Sequence, residues 1–163
     1  MAGTASGAEG NDSLTSIEVV RGSGFDDFLV VGAGQFAQSG LGNDTIIGVS
    51  STATYMHGGG ILGSVTVDLN AGFAISNGGG TDSLFGIQRV EISVPATGFA
   101  SILGNENANF LASYVSTDTL DGAGGDDTLW AGKGNDSLIG GGGHDWASYE
   151  RYTNLIDAAV AVT

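Results

Sequence analysis

The chain contains no cysteine, so disulfides and thiolate metal sites are both closed to it. It has two histidines, His57 and His144, which with the missing thiols leaves no basis for a zinc site or a histidine-assisted nucleophile. Bases are scarce as well: Arg21, Arg89, Lys133 and Arg151 face 18 acids, for a net charge of −14. That balance argues against nucleic acid and anionic membrane surfaces and favours cations as partners. No stretch holds 18 consecutive apolar residues, and MAGTASGAEG lacks a basic region followed by an apolar core. Neither a transmembrane helix nor an N-terminal signal peptide is therefore expected. Proline occurs once, at Pro95, and is expected in a short insertion rather than inside a central strand, where it would remove a needed donor.

Glycine is abundant instead. Thirty glycines and only 13% charged residues do not suit an ordinary helical or α/β fold, and 163 residues suit one domain. From Gly122 to Ser148 the glycines fall into three nonapeptides end to end: GAGGDDTLW, AGKGNDSLI and GGGGHDWAS. In each, an Asp (Asp127, Asp136, Asp145) follows a glycine-rich run, and two residues later comes a candidate inward residue, Leu129, Leu138 or Ala147. Stepping back by nine finds Asp118 with Leu120, and by nine again Asn109 with Leu111.

Glycine lets the backbone curl through positive φ and turn its carbonyl oxygens outward. A hard cation such as Ca²⁺ takes six to eight oxygens, and one such loop with one carboxylate supplies about half of them. Two loops must therefore cooperate. Nine residues make a turn and a short strand, so two units make one coil and turn i stacks on turn i+2. Asn109, Asp127 and Asp145 are expected on one edge, and Asp118 and Asp136 on the other. Without counter-charge the acids of an edge would repel, so folding is expected to depend on calcium.

The pattern is G-G-x-G-x-D-x-U-x, and the chain resembles the RTX (repeats-in-toxin, hemolysin-type) family. The resemblance implies an all-β, right-handed parallel β-roll, a β-solenoid of glycine- and aspartate-rich nonapeptides that binds several Ca²⁺ ions. Its turn ligands would be Asn109, Asp118, Gly122, Gly124, Asp127, Gly132, Gly134, Asp136, Gly141, Gly143 and Asp145. It also implies a secreted, extracellular or cell-surface protein exported through a type I channel by a C-terminal signal. At 18 residues per coil, roughly nine coils are expected.

A longer repeat underlies the short one. Asp12 to Val20 (DSLTSIEVV) matches Asp82 to Val90 (DSLFGIQRV) at an offset of 70, and after four extra residues the offset becomes 74. Phe36 then meets Phe110, and Asp44 meets Asp118. The chain reads as a tandem duplication: a degenerate first copy over 1–48, linking coils over 49–81, a regular second copy over 82–148 and a terminal strand or tail over 149–163. Val49 to Thr54 is expected to be a plain coil or a loop insertion. Asp12, Asp27, Asp44 and Asp82 extend the candidate metal residues, with fewer or weaker ions in the first copy. Asn109, lacking a charge and an oxygen, should weaken its site.

Ser64 to Asn77 (SVTVDLNAGFAISN) precedes the second copy, whereas the first has only AGTASG in that place; the missing strand recurs as AVAVT (Ala159 to Thr163). Joined tail to head, the two ends rebuild most of one internal segment. One expectation is head-to-tail self-assembly into a filament, S-layer-like sheet or matrix. The alternative is a calcium-dependent structural or binding module of a larger RTX adhesin, exoenzyme or toxin. Phe110, Trp130, Trp146 and Tyr149 form a candidate aromatic face for carbohydrate or a second subunit, or are covered by the 149–163 tail. No nucleophile, base and orienting group converge, so no enzymatic activity is expected. His144 is expected to point to solvent and His57 to lie in a loop.

Overall fold

The computed structural model describes residues 2–7, 10–56, 63–114 and 116–149. Among these there is no helix, and fifteen strands, β1 to β15 in chain order, join in one hydrogen-bonded network.

The network folds into two layers. Across the first run β2 (Gly10–Thr15), β1 (Ala2–Gly7), β4 (Phe28–Val31), the start of β6 (Thr45–Met56), the start of β9 (Gly80–Ser93), β8 (Phe73–Ser76), β7 (Val65–Asp68), β10 (Ala100–Asn105), β12 (Thr119–Ala123) and β14 (Ser137–Ile139). Across the second run β3 (Val19–Arg21), β5 (Phe36–Gln38), the ends of β6 and β9, β11 (Phe110–Ser113), β13 (Thr128–Trp130) and β15 (Trp146–Ser148). Every pairing in the second layer is parallel. The chain alternates between layers, and the strands stack as a β-solenoid of about 7 turns.

Strand formation follows the period-2 pattern. Ala100–Asn105 alternates buried and half-buried residues along its length, and Val65–Asp68 does the same. The inward members interleave between layers: Leu29, Ile46, Leu84, Ile102 and Leu120 from the first meet Ala37, Ala53, Val90, Leu111 and Leu129 from the second, all buried. Each buried leucine or isoleucine contributes roughly 1.5–3 kcal/mol. Because this ladder repeats every coil, a turn is held at the same height relative to its neighbours.

Two features separate the structure from the expectation of nine coils. First, β1 and β2 form an antiparallel hairpin, and so do β7 and β8, with β8 also antiparallel to β9. These segments add strands to the first layer without completing a turn, which lowers the count to about 7. Second, β6 and β9 round the corner between layers as continuous strands, with irregular register between Ile47 and Ser51. Val49 to Thr54 therefore lies within β6, as part of a plain coil rather than an insertion. Pro95 sits in the turn between β9 and β10, where its carbonyl accepts the Gly98 N–H at 2.8 Å. His57, Arg151, the 149–163 tail beyond Tyr149 and the AVAVT segment fall outside the described residues.

Candidate metal centre

The turns stack along two edges. On one, Asp127 Oδ1 accepts the N–H of Asn109 at 2.7 Å and Asp145 Oδ1 accepts the N–H of Asp127 at 3.1 Å. On the other, Asp118 Oδ1 accepts the N–H of Ala100 at 2.7 Å and Asp136 Oδ1 that of Asp118 at 2.9 Å. The same edge carries the first copy, where Asp44 Oδ1 accepts the Asp27 N–H at 2.8 Å and Asp82 Oδ1 the Asp44 N–H at 3.0 Å. Each Asp thus clamps the coil before it through one oxygen. Its second oxygen is what remains for chemistry.

For Asp44, Asp118 and Asp127 that second oxygen, Oδ2, is buried and has no hydrogen-bond partner among the described residues. An ionised buried carboxylate left this way is strongly disfavoured unless a cation meets it or a proton neutralises it. Burial holds the Asp127 carboxyl above the usual range, opposed by the Asn109 N–H and reinforced by Asp145, Asp126 and Asp121. Burial likewise raises Asp136, with the Asp118 N–H opposing and the Asp118 charge adding to it. Asp44 is pushed up to about 7 by burial, opposed by the Asp27 N–H and reinforced by Asp82, Asp27 and Asp26.

A glycine five residues before the side chain completes each cradle on the first edge. A Cβ on Gly122 would fall on Asp127 Oδ2 and lie 2.6 Å from the Gly140 carbonyl oxygen. A Cβ on Gly104 would lie 2.5 Å from Asn109 Oδ1 and meet the Gly122 oxygen, and one on Gly140 would meet Asp145 Oδ2. Carboxylate and carbonyl oxygens of adjacent turns therefore converge on one small space. Gly141 and Gly143 keep their turn open through φ of 98° and 133°. Among the described residues no three His, Cys, Asp or Glu side chains gather as a metal cluster, so a cation here must draw on backbone oxygens as well. Such an oxygen-only set suits calcium.

Residues 116–147 match the RTX calcium-binding nonapeptide repeat, in four copies. No curated protein and no solved structure matches the chain. The RTX repeats indicate a calcium-binding module, and the two-layer stack is the β-roll they form. Of the RTX turn glycines, Gly124 pairs with Gly142 of the next turn, while a Cβ on Gly132 or Gly134 would strike Tyr114 or Ser116 backbone of the turn before. Asp145 is exposed and Asp136 half-buried, as the last of their edges among the described residues.

Some candidates stand elsewhere. Asp12 lies exposed in β2, in an open cavity shared with Arg21 and Asp27, and outside the carboxylate ladder. The aromatic face divides: Phe110 and Trp130 meet edge to face at 5.4 Å, with Arg89 3.6 Å above the Phe110 ring. Trp146 pairs in register with Thr128 rather than with Trp130 and is 70% exposed, and Tyr149 is exposed too. His144 is exposed, its N–H donating to Asp126 Oδ1 at 2.9 Å. Gly22, Gly104 and Gly140 are not among the ligands expected from the repeat, although the five-residue spacing Gly22–Asp27, Gly104–Asn109, Gly122–Asp127, Gly140–Asp145 is present in the sequence. The first layer also exposes the apolar residues Phe28, Ile75 and Phe85, which no repeat position singles out.

Proposed function

We propose that this chain is a secreted β-roll whose folding is completed by calcium outside the cell, and that the folded rod associates end to end into an extracellular assembly. The observation that carries the calcium step is the buried Oδ2 of Asp118 and Asp127, without a hydrogen-bond partner among the described residues, in the segment that matches the RTX repeat, with the glycine cradle at Gly122 beside Asp127. Asp127, Asp145 and Asn109 with the carbonyls of Gly122 and Gly140 would hold ions on one edge. Asp118 and Asp136 with glycine-turn carbonyls would hold them on the other. The ion supplies positive charge and coordination where the chain offers stacked carboxylates.

Extracellular calcium modules bind at about 10⁻⁴–10⁻³ M, so the chain would remain loose in calcium-poor cytosol and set on export. Association end to end is supported by β14 and β15, each of which is paired on one side only among the described residues. The function is structural, without catalysis. A second reading, a module that contacts a sugar ring or another protein of the matrix, is favoured by Trp146 at 70% exposure beside exposed Tyr149.

Sedimentation velocity in chelator and then in millimolar calcium separates these readings. A concentration-dependent ladder of large species supports assembly. A compact monomer at every concentration removes assembly and leaves the binding module. An expanded monomer unchanged by calcium removes the calcium step itself.

A further inference from the structure

The strand edges at the two ends of the roll match a junction that the roll already contains. Inside the molecule, residues 41–47 (LGNDTII), leading into β6, lie against 80–85 (GTDSLF), the start of β9. Thr45 stands opposite Ser83, Ile46 opposite Leu84 and Ile47 opposite Phe85. Three contacts fix that register: the Thr81 N–H donates to Asn43 Oδ1 at 3.0 Å, the Asp44 N–H to Asp82 Oδ1 at 3.0 Å and the Ser83 N–H to the Asp44 carbonyl at 2.8 Å. Behind them Ile46 and Leu84 are buried.

Each half of this junction recurs at one end of the first layer. Residues 133–139 (KGNDSLI), leading into β14, repeat 41–47, with Asn135 and Asp136 for Asn43 and Asp44, and Leu138 for Ile46. Residues 10–15 (GNDSLT), which are β2, repeat 80–85, with Asp12 for Asp82 and Leu14 for Leu84. Among the described residues β14 and β2 are each paired on one side only. Leu138 and Leu14 pack against the core but stay partly exposed, whereas Ile46 and Leu84 are closed in. The two ends thus carry complementary halves of a contact whose finished form is visible between β6 and β9.

Strand direction allows the halves to join. Two reversals, from β4 to β1 and from β1 to β2, return β2 to the direction of β4, which β6 and β9 share. Two further reversals, through β8, return β7 to that direction, and β10, β12 and β14 follow it in parallel. β2 and β14 therefore run the same way. In the second layer β3 and β15 end a wholly parallel set. A copy displaced along the roll axis meets parallel partners on both layers at once, and open strand edges of this kind are templates for pairing.

We infer that a second copy of this chain docks by β2 and β3 on β14 and β15, in the register of the β6–β9 junction. Ser13 of one copy then lies opposite Ser137 of the other, and Leu14 closes over Leu138. Asp12, outside the carboxylate ladder of its own chain, accepts the Asp136 N–H through Oδ1 and supplies the next rung for its neighbour. In the second layer the same frame sets Val19 beside Trp146, both exposed in the single chain. The contact is heterologous and leaves one free edge at each far end, so it continues into an open filament. This deepens the end-to-end association proposed above and rests on it.

The chain has no cysteine, so introduced pairs report the contact without background. Ser13→Cys and Ser137→Cys, both at exposed serines, are placed on separate full-length chains, which are mixed in millimolar calcium and oxidised. Opposed residues on neighbouring strands are about 4.8 Å apart, within disulfide reach. Ser13→Cys mixed with Ile139→Cys, two residues out of register, stands about 8 Å apart, beyond it. The expected result is a covalent dimer from the first mixture, roughly tenfold more than from the second. Assembly with equal or no cross-linking in the two mixtures overturns the register and leaves end-to-end association standing. Where the cysteine chains do not assemble, amide exchange in the unaltered chain decides: slowing on assembly over 10–15 and 137–139 supports the contact, and unchanged exchange there overturns it. An unaltered chain that sediments as a compact monomer at every concentration overturns both the association and this contact, and gives the β14 edge a different occupant.

Discussion

Asp127 grips Asn109 through Oδ1 at 2.7 Å and keeps Oδ2 buried without a hydrogen-bond partner among the described residues. One carboxylate therefore does two jobs. It fixes the height of one coil over the next by a charge-assisted hydrogen bond, and it presents an oxygen that nothing among the described residues satisfies. Alignment of the turns and affinity for a cation depend on the same residue.

Gly122 is the tightest test of the cradle. A methyl group there would collide with Asp127 Oδ2 and sit 2.6 Å from the Gly140 oxygen. Gly122→Ala should weaken calcium binding at this edge about tenfold or more, equivalent to about 1.4 kcal/mol, while sparing the Asp118–Asp136 edge. Calorimetric titration checks it, and an unchanged isotherm would remove Gly122 from the site.

Asn109 occupies an Asp position of the same edge, buried, with its Oδ1 accepting the Asn105 N–H at 2.8 Å. Asn109→Asp restores the charge and the second oxygen. Without calcium it should destabilise the fold by about 1–3 kcal/mol, the cost of another unsatisfied buried group. With calcium it should bind more tightly or gain an ion. Chemical denaturation at both calcium levels checks it; equal destabilisation in both would contradict the assignment.

Acid should stabilise the calcium-free roll. Asp44, Asp127 and Asp136 all have folded values above the ordinary 3.8, and Asp44 reaches about 7. Their stabilising protonation is complete below the unfolded value and is lost as pH rises through the folded one. The melting temperature in chelator should therefore climb as pH falls from about 7 towards 4. In saturating calcium the trend should reverse, since protons compete for the same oxygens. A chelated protein that melts lower on acidification would show that the carboxylates are not the limiting strain.

Ala123 carries φ of 71°, and the equivalent place one coil on is Gly141, at 98°. A side chain in the left-handed region costs roughly 1–2 kcal/mol. Ala123→Gly should raise stability in calcium by about 1 kcal/mol, less the flexibility that glycine adds to the unfolded chain. A loss of stability in urea unfolding would mean that the Ala123 methyl packs better than its backbone suggests.

What the sequence determined by itself was the repeating part. Asp and inward Leu nine residues apart dictate parallel strands in constant register, so Asn109 over Asp127 over Asp145, and Asp118 over Asp136, could be read before any coordinates. The reason is local: each coil sees only its neighbours, and a fixed spacing translates into a fixed stacking. The tertiary structure alone decided the rest. Val65–Asp68 and Phe73–Ser76 alternate with the same period as the roll strands, so their pattern cannot say whether the chain advances to a new coil or folds back. It folds back, because the glycine turn at Gly72 and pairing with β9 close a hairpin, and that fixes the number of turns. The same closure sets the hairpin turn against Asp44, 38 residues earlier in the chain than Asp82. No nonapeptide spacing encodes that contact, since it depends on which edge the hairpin meets.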